Sequence, residues 1–320
     1  MATPRISRIL STFNPCTQRW VPAPAGLPTI GQNLTNLSLS TWNIDAFSPR
    51  PIARASEIMN RLLKSPQATS DILFLQEVRP GVRVHLLNDA RIRAGFFVTD
   101  AEDGSSFNNV PFTTMTLLSK ASFSSFTPRN DYTATSVNRF KFPSRYKRDA
   151  LCTDICVPLS NPGSFATTKL LSFVNVHLDS LASTLPYRGE QMRIVRNIVG
   201  PTNDQQEQEN LKLGLIAEDF NAVCKEDQEL IRNNGLVDAW ISLYGTGTDK
   251  FDPWTWGCQN LQNNFVPKRL DRIAMTEGLE AVDMYVMHPG TIAVPRPGGE
   301  ADGEVRWSDH AGLNCRFSIK

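Results

Sequence analysis

Leu211-Lys-Leu-Gly-Leu-Ile-Ala-Glu-Asp-Phe-Asn-Ala-Val223 runs as an apolar strand and delivers a carboxylate, Asp219, and an amide, Asn221, at its exit. In an extended chain, side chains two apart point to one face, so the two can stand over one small volume. That arrangement suits a phosphate. A buried carboxylate is costly unless a metal, a cation or several hydrogen bonds compensate it, so a strand that ends in an acid needs a partner there. Taken alone, the stretch is better read as a strand closing on an ordinary Asp/Asn turn, which these residues form readily.

Other strand-like runs end in the same manner, and together they decide the reading. Leu37-Ser-Leu-Ser-Thr-Trp-Asn43-Ile-Asp45 alternates and finishes on an amide and an acid two apart, and Asp71-Ile-Leu-Phe-Leu-Gln-Glu77-Val closes on Gln-Glu. Leu170-Leu-Ser-Phe-Val-Asn-Val-His177-Leu-Asp179-Ser180 repeats the plan with a histidine. Arg269-Leu-Asp271-Arg-Ile-Ala-Met and Trp307-Ser-Asp309-His310-Ala-Gly-Leu complete the series. Polar groups gathered at strand ends make an active site on a layered α/β scaffold, where the sheet supplies rigidity and the loops carry function.

In this order and spacing, Trp-Asn-Ile-Asp at 42–45, Leu-Gln-Glu-Val at 75–78, Asn-Val-His-Leu at 175–178, Asp-Phe-Asn at 219–221, Leu-Asp-Arg-Ile at 270–273 and Ser-Asp-His at 308–310 resemble the endonuclease/exonuclease/phosphatase superfamily of metal-dependent phosphoesterases. The resemblance runs from about Leu37 to the end. Thr41-Trp-Asn-Ile-Asp45, Leu75-Gln-Glu-Val78, His177-Leu-Asp-Ser180 with Arg188-Gly-Glu-Gln-Met-Arg193, and Thr255-Trp256 are most similar to its tyrosyl-DNA phosphodiesterase 2 branch.

The resemblance implies a four-layer α/β sandwich, two mixed β-sheets packed face to face with helices on the outside. That domain would span residues 32–320 behind an amino-terminal extension, residues 1–31. It implies a Mg2+-dependent (or Mn2+-dependent) hydrolase of the DNA-repair type, a phosphodiesterase acting on 5'-phosphotyrosyl, protein-linked DNA ends. The partner is then DNA bearing a 5' protein or peptide adduct, the protein a monomer, and its place the nucleus or cytoplasm. The alternatives are another superfamily phosphoesterase (a general nuclease, an RNase or deadenylase, a phospholipid or inositol phosphate hydrolase) and a non-catalytic binding module. Against the last stands the complete set Asn43, Glu77, Asp219, Asn221, Asp271 and His310.

The residue types assign roles. Glu77 is the metal ligand with Asn43 and Asp45 beside it, since hard oxygens favour Mg2+ or Mn2+ over zinc. Asp219 orients and deprotonates the attacking water, and Asn221 bonds that water or the phosphate. His310 donates to a phosphoryl oxygen with Asp271 holding its ring, and Asp309 completes either the metal or the His310 network. His177 and Ser180 contact the phosphate from the other side, while Arg148, Trp256 and Ser308 border the substrate. The chain departs from the branch pattern at Glu218, where Gly is usual, at Ala311, in place of Trp, and at Ala46-Phe47, in place of Gly-Leu. Those departures bear on substrate choice.

The chain has 320 residues, 41% hydrophobic and 20% charged, an ordinary globular composition. A net charge of +1 gives no global attraction for nucleic acid, so a phosphate-binding surface has to be local. Six scattered cysteines fit a reducing compartment. Cys152 and Cys156 lie on an expected strand from Ala150 to Val157, roughly 13 Å apart and beyond the reach of a disulfide. No apolar run approaches the roughly 20 residues that span a bilayer.

Met1 to Gly31 carries Arg5, Arg8 and Arg19 and no acid, which leaves a mitochondrial transit segment open. The favoured reading is a short amphipathic piece, Ile6 to Leu10, followed by a Pro-rich strap that anchors Trp20. Pro51 to Lys64 is expected as a helix, with Ile52, Ala55, Ile58, Met59, Leu62 and Leu63 inward and Arg54, Glu57 and Arg61 in solvent. Further helices are expected from Pro80 and over Leu185 to Val199, and a polar loop over Asp100 to Asn109. Between Arg129 and Arg148, the cations Arg139, Lys141, Arg145, Lys147 and Arg148 interleave with Phe140, Phe142 and Tyr146. The pattern suits either single-stranded nucleic acid or a solvated loop whose rings pack on the domain.

Overall fold

Alternation along the strands sets the layers. On Asn36–Asn43, Leu37 and Leu39 enter one core and Trp42 another; on Ile72–Val78, Phe74 faces inward and Leu73 and Leu75 outward. On Thr168–His177 the inner residue is Phe173 and the outer ones are Val174 and Val176, and on Lys212–Asp219, Leu215 and Ala217 are inner and Ile216 outer. Strands apolar on both faces have to be covered on both. Two sheets therefore share the inner core. Helices Pro51–Leu62 and Pro80–Asn88 cover the outside of one, and Leu185–Val199 and Leu230–Asn233 the outside of the other. This is the four-layer sandwich of two mixed sheets that the motif series implied.

The computed structural model describes residues 3–24, 27–29, 36–64, 70–123, 125–127, 137–158, 168–200, 212–247, 252–258, 266–295 and 303–319. The first sheet runs in the order Leu279–Met287, Gly312–Ile319, Asn36–Asn43, Ile72–Val78, Thr113–Ser119, Phe96–Thr99, Leu10–Asn14, Arg19–Pro22. The second runs Arg5–Arg8, Val137–Lys141, Asp149–Pro158, Thr168–His177, Lys212–Asp219, Asp271–Met275, Val237–Asp238. Asn36–Asn43 lies parallel to Ile72–Val78, and Thr168–His177 parallel to Lys212–Asp219. Each parallel pair brings two polar strand ends to the same edge. Among the described residues no helix is long and apolar enough to cross a membrane.

Residues 5–22, expected as an extension, are woven into both sheets. Arg5–Arg8 pairs with Val137–Lys141, while Leu10–Asn14 pairs with Phe96–Thr99 and turns back as Arg19–Pro22. Trp20 anchors as expected, its Nε1 donating to the Leu87 carbonyl at 3.2 Å. Ile6 to Leu10 is thus strand on either side of Ile9, where the chain crosses from one sheet to the other, because strand partners are available in both.

Two expectations for the first helix are corrected. Arg54 is fully buried, and Ile52 is 46% exposed. The Arg54 guanidinium donates to the carbonyls of Ile44, Asp45, Ser48, Pro49 and Trp307, so its fixed fork of donors is satisfied beneath the loop that leads into the helix. Helical periodicity alone could not show that this loop offers so many acceptors.

Part of the basic, aromatic segment is also structural. Arg139 is fully buried, with Asp100 and Asp149 each at 2.8 Å, and Lys141 lies 2.7 Å from Asp149. Asp100, expected in a polar loop, follows the strand Phe96–Thr99 of the first sheet, and Arg139 belongs to the second, so the ion pair ties the sheets together. Burial opposes the Asp149 charge, but Arg139 and Lys141 outweigh it and hold the carboxyl below its usual range. A carboxyl depressed on folding stabilises the fold above its unfolded pKa of about 3.9 and loses that contribution as pH falls through the folded value. Melting temperature is therefore expected to fall steeply below about pH 4. Asp149→Asn should flatten that acid limb in a thermal-melt series.

Candidate active site

The inward parity of each strand continues to its end. Thr41 and Asn43 follow Leu39; Asn175 and His177 follow Phe173; Asp219 follows Ala217. Asp271 shares a face with Ile273 and Met275. Where the inner faces stop being apolar, polar residues close the space between the sheets. His177 pairs in register with Asp219, and Asp219 with Asp271, so the three form one cross-strand row. Asp271 opens its strand instead of ending it, since Asp271–Met275 runs antiparallel to Lys212–Asp219.

The facing sheet brings Asn43 and Glu77 to this row. Asn43 Nδ2 donates to Asp219 Oδ2 at 3.2 Å, and Glu77 Oε1 lies 3.9 Å from His177 Nε2. Glu77 has φ 54°, at a break in the ladder between Leu75 and Val78. Such an irregularity re-aims a side chain, and here it follows the inward Gln76. Glu77 Oε2 accepts the Ala46 N–H at 2.8 Å. His310, just ahead of Gly312–Ile319, places Nδ1 2.8 Å from Asp271 Oδ2 and Nε2 3.8 Å from Asp219 Oδ2. His177 Nε2 reaches the same Asp219 oxygen at 3.4 Å. Asp219 is the hub of the cluster.

The structure treats the other expected residues differently. Asn221 has φ 47°; its N–H donates to Asp219 Oδ1 at 2.8 Å and its Nδ2 to the Leu178 carbonyl at 2.9 Å. The turn reading and the site reading of this stretch thus coincide, and the amide that meets the Asp219 carboxylate is Asn43 from the opposite sheet. Asp45 caps a turn, Oδ1 accepting from Phe47 and Ser48 and Oδ2 lying 3.5 Å from Arg54. Ser308 is fully buried, donating to the Asn43 carbonyl at 2.6 Å and accepting from the His310 N–H. It joins two site residues and is closed to solvent. Asp309 is exposed and accepts Trp256 Nε1 at 3.2 Å, so this pair borders the cleft. Ser180 is half-buried, its carbonyl accepting Thr184 Oγ1 at 2.6 Å. The side chains of Glu218 and Cys156 lie outside the described residues.

Arg148 reaches the cluster from a turn pinned by Asp179, which accepts from Ser144 Oγ and the Arg145 N–H, while Ser144 Oγ accepts the Arg148 N–H. Its guanidinium lies 4.7 Å from the centre of the Phe112 ring, and its buried Nε has no hydrogen-bond partner among the described residues. Phe112, absent from the expectations, stacks on His177 with ring centres 5.9 Å apart. Gln76 and Asn175 were also not singled out. Gln76 Nε2 donates to Asn175 Oδ1 at 2.8 Å across the sheets, one residue behind Glu77 and two behind His177. Thr255 Oγ1 accepts the Leu270 and Asp271 N–H groups and fixes the start of that strand. An amide within an apolar run was the available signal for Gln76; Phe112 had none.

Electrostatics separates the two histidines. Burial, with Arg148 and His310 nearby, pushes the His177 ring well below its ordinary value and keeps it neutral. Burial also works against charge on His310, but Asp271, Asp219 and Asp309 outweigh it and hold that ring well above its usual range. Burial raises the Asp219 carboxyl; His310 opposes that, and Asp271 and Glu77 add to it. Burial raises Glu77 as well. Such crowding of acids is what a cation relieves. Asp219, Asp271 and His310 each bring one ligand atom within 4.8 Å of the others. His310 Nδ1 is engaged by Asp271, so the atoms that would hold a cation are chiefly oxygens of Asp219, Asp271, Glu77 and Asn43. The buried Asp271 Oδ1 has no hydrogen-bond partner among the described residues. This oxygen-rich donor set fits a hard divalent cation.

No protein-family model matches the chain, and no curated protein does. Solved structures do. TDP2 from C. elegans superposes with TM-score 0.59 at 20% identity, over 89% of this chain and 75% of that one. D. rerio TDP2 complexed with a single-strand DNA product gives 0.56 at 21% identity, over 89% and 100%. An endonuclease/exonuclease/phosphatase family protein from Bacteroides thetaiotaomicron gives 0.55 at 14% identity, over 89% and 98%. The fold of this chain is the one these proteins share.

Proposed function

We propose that this chain is a Mg2+- or Mn2+-dependent phosphodiesterase that hydrolyses 5'-phosphotyrosyl DNA ends. One observation carries the hydrolytic part: Asp219 is held at the centre of a row with His177 and Asp271 and is met by Asn43 and the charged His310. A divalent cation bound at the Glu77 and Asn43 oxygens, beside Asp219, would supply positive charge for the phosphate oxygens. Asp219, its carboxyl raised into a range where it can take a proton, orients and deprotonates the water. His310, kept protonated by Asp271, donates to a phosphoryl oxygen through Nε2, while neutral His177 lines the opposite wall. The Arg148 guanidinium, close enough to Glu77 and Asp219 to feel their charge and with no hydrogen-bond partner at Nε among the described residues, would add positive charge for the same oxygens.

The nucleic-acid part is supported by that guanidinium, by the motif likeness, and by the single-strand DNA product in the D. rerio TDP2 structure. Hydrogen bonds to charged groups contribute about 1.5–3 kcal/mol, so Arg148→Ala should lower kcat/KM about 10- to 100-fold. Arg148→Lys should recover only part, because a point charge replaces a planar fork. Steady-state kinetics on one oligonucleotide checks both.

The substrate is tested with three single-stranded oligonucleotides bearing a 5'-phosphotyrosine, a 3'-phosphotyrosine or a plain 5'-hydroxyl. Selective release of a 5'-phosphate end establishes the repair reading. Cleavage of all three makes the protein a general nuclease, and inertness toward all three turns the assignment to a lipid or small-molecule phosphoester or to a binding module.

A further inference from the structure

We propose that Phe47, backed by Phe112, is a stacking ledge for the unpaired base next to the reacting phosphate. This rests on the nucleic-acid reading above. At 76%, Phe47 is among the most exposed large hydrophobics described. Scattered exposed hydrophobics are common, so exposure alone says nothing. What sets Phe47 apart is how it is held and what stands behind it.

The turn that carries it is fixed on both sides. Asp45, at φ 55°, accepts the Phe47 and Ser48 N–H groups at 2.9 and 3.0 Å. The preceding Ala46 donates its N–H to Glu77, and buried Arg54 takes the Asp45 and Ser48 carbonyls. An apolar ring is thus presented rigidly to solvent from a loop tied to a candidate metal ligand. Nothing in this turn requires a large ring at position 47, since only its backbone N–H is used.

Behind it the aromatic path leads into the cleft. Phe47 meets Phe112 edge-on, ring centres 5.5 Å apart at 90°; Phe112 stacks on His177 at 19°, and Arg148 lies against the same ring. Phe112 is only 8% exposed and engaged by three neighbours, so Phe47 is the member with ring surface left to offer. Arg148 and His177, both proposed to meet the phosphate, each lie against Phe112, so the nucleotide of that phosphate would stand beside this row. Stacking on an exposed ring suits an unpaired base of any identity, and it adds contact without adding charge, consistent with a chain of net charge +1. The ligand class is therefore a frayed or single-stranded end; a paired base keeps its faces covered by its own neighbours.

The test compares two 5'-phosphotyrosyl oligonucleotides that differ only at the terminal nucleotide, one bearing a base and the other abasic. Each is assayed with the wild type, Phe47→Ala and Phe47→Trp, with thermal melts to confirm that the exposed substitutions leave the fold intact. The ledge predicts that Phe47→Ala raises KM for the base-bearing end about 5- to 100-fold with kcat little changed, and that Phe47→Trp restores binding. The abasic end should show no difference between the three proteins. An equal effect on both substrates, or none on either, overturns the proposal. So does a loss that follows the leaving group when p-nitrophenol replaces tyrosine. Failure of the wild type to cleave either oligonucleotide removes the phosphodiesterase reading itself, a result distinct from an active enzyme indifferent to Phe47.

Discussion

Asp219→Asn is expected to reduce turnover by about 10³-fold while leaving the fold in place, the middle of the range for losing a general base. The exchange keeps the shape of a side chain that is 2% exposed, so packing is preserved. It removes the negative charge that His177, His310 and Asn43 all approach, at 3.4, 3.8 and 3.2 Å. An amide in its place cannot take the proton of the attacking water, and it weakens the field that helps keep His310 charged. Single-turnover kinetics beside circular dichroism checks it. A variant that keeps a tenth or more of the wild-type rate would move the base elsewhere in the cluster.

The second large effect is on stability and lies away from the chemistry. Arg139→Leu takes the shared cation from two buried carboxylates, leaving Asp100 to Arg8, 3.6 Å away, and Asp149 to Lys141. Removing one partner of a buried ion pair costs about 3–5 kcal/mol, because the charge left behind has lost both water and its counterion. In a protein of this size, melting temperature should drop by on the order of 10 °C. Lys141→Ala, which touches Asp149 from a position 42% exposed, should cost under about 1 kcal/mol. Thermal melts of the two variants separate the buried term from the surface one.

The layers were legible because the strands announce their two faces. Phe74 between Leu73 and Leu75, and Phe173 beside Val174, already specify a strand covered on both sides. The site was legible in part for the same reason. Period-two alternation carried through Asn43, His177 and Asp219 leaves a polar residue on the inner face at each strand end. What the alternation could not give was direction across strands. Asp271 opens its strand because that strand is antiparallel to Lys212–Asp219, and the pairing belongs to the fold, not to the local sequence.

Side chains that leave the extended state sit where alternation does not place them, for a related reason. Asn221 and Asp45 sit at positive φ, so the rule that residues two apart share a face stops applying there. Arg54 read as a solvent residue because helical periodicity does not see the acceptors of a neighbouring loop. Arg139 read as either a cation for phosphates or part of a solvated loop because its partners, Asp100 and Asp149, are remote from it in the sequence. Gln76 was quoted within Leu-Gln-Glu, but its bond to Asn175 across the sheets appears only when the two halves of the cleft are brought together.

The most direct test of the account is a Mg2+ titration of chelator-treated protein, following strand release from a 5'-phosphotyrosyl oligonucleotide with the wild type and Glu77→Gln. The account predicts no turnover without metal, a saturable rise with Mg2+, and a shift of the midpoint to higher Mg2+ in the variant as one anionic ligand is lost. Equal turnover in excess chelator and in Mg2+, or an unshifted midpoint in Glu77→Gln, would contradict it.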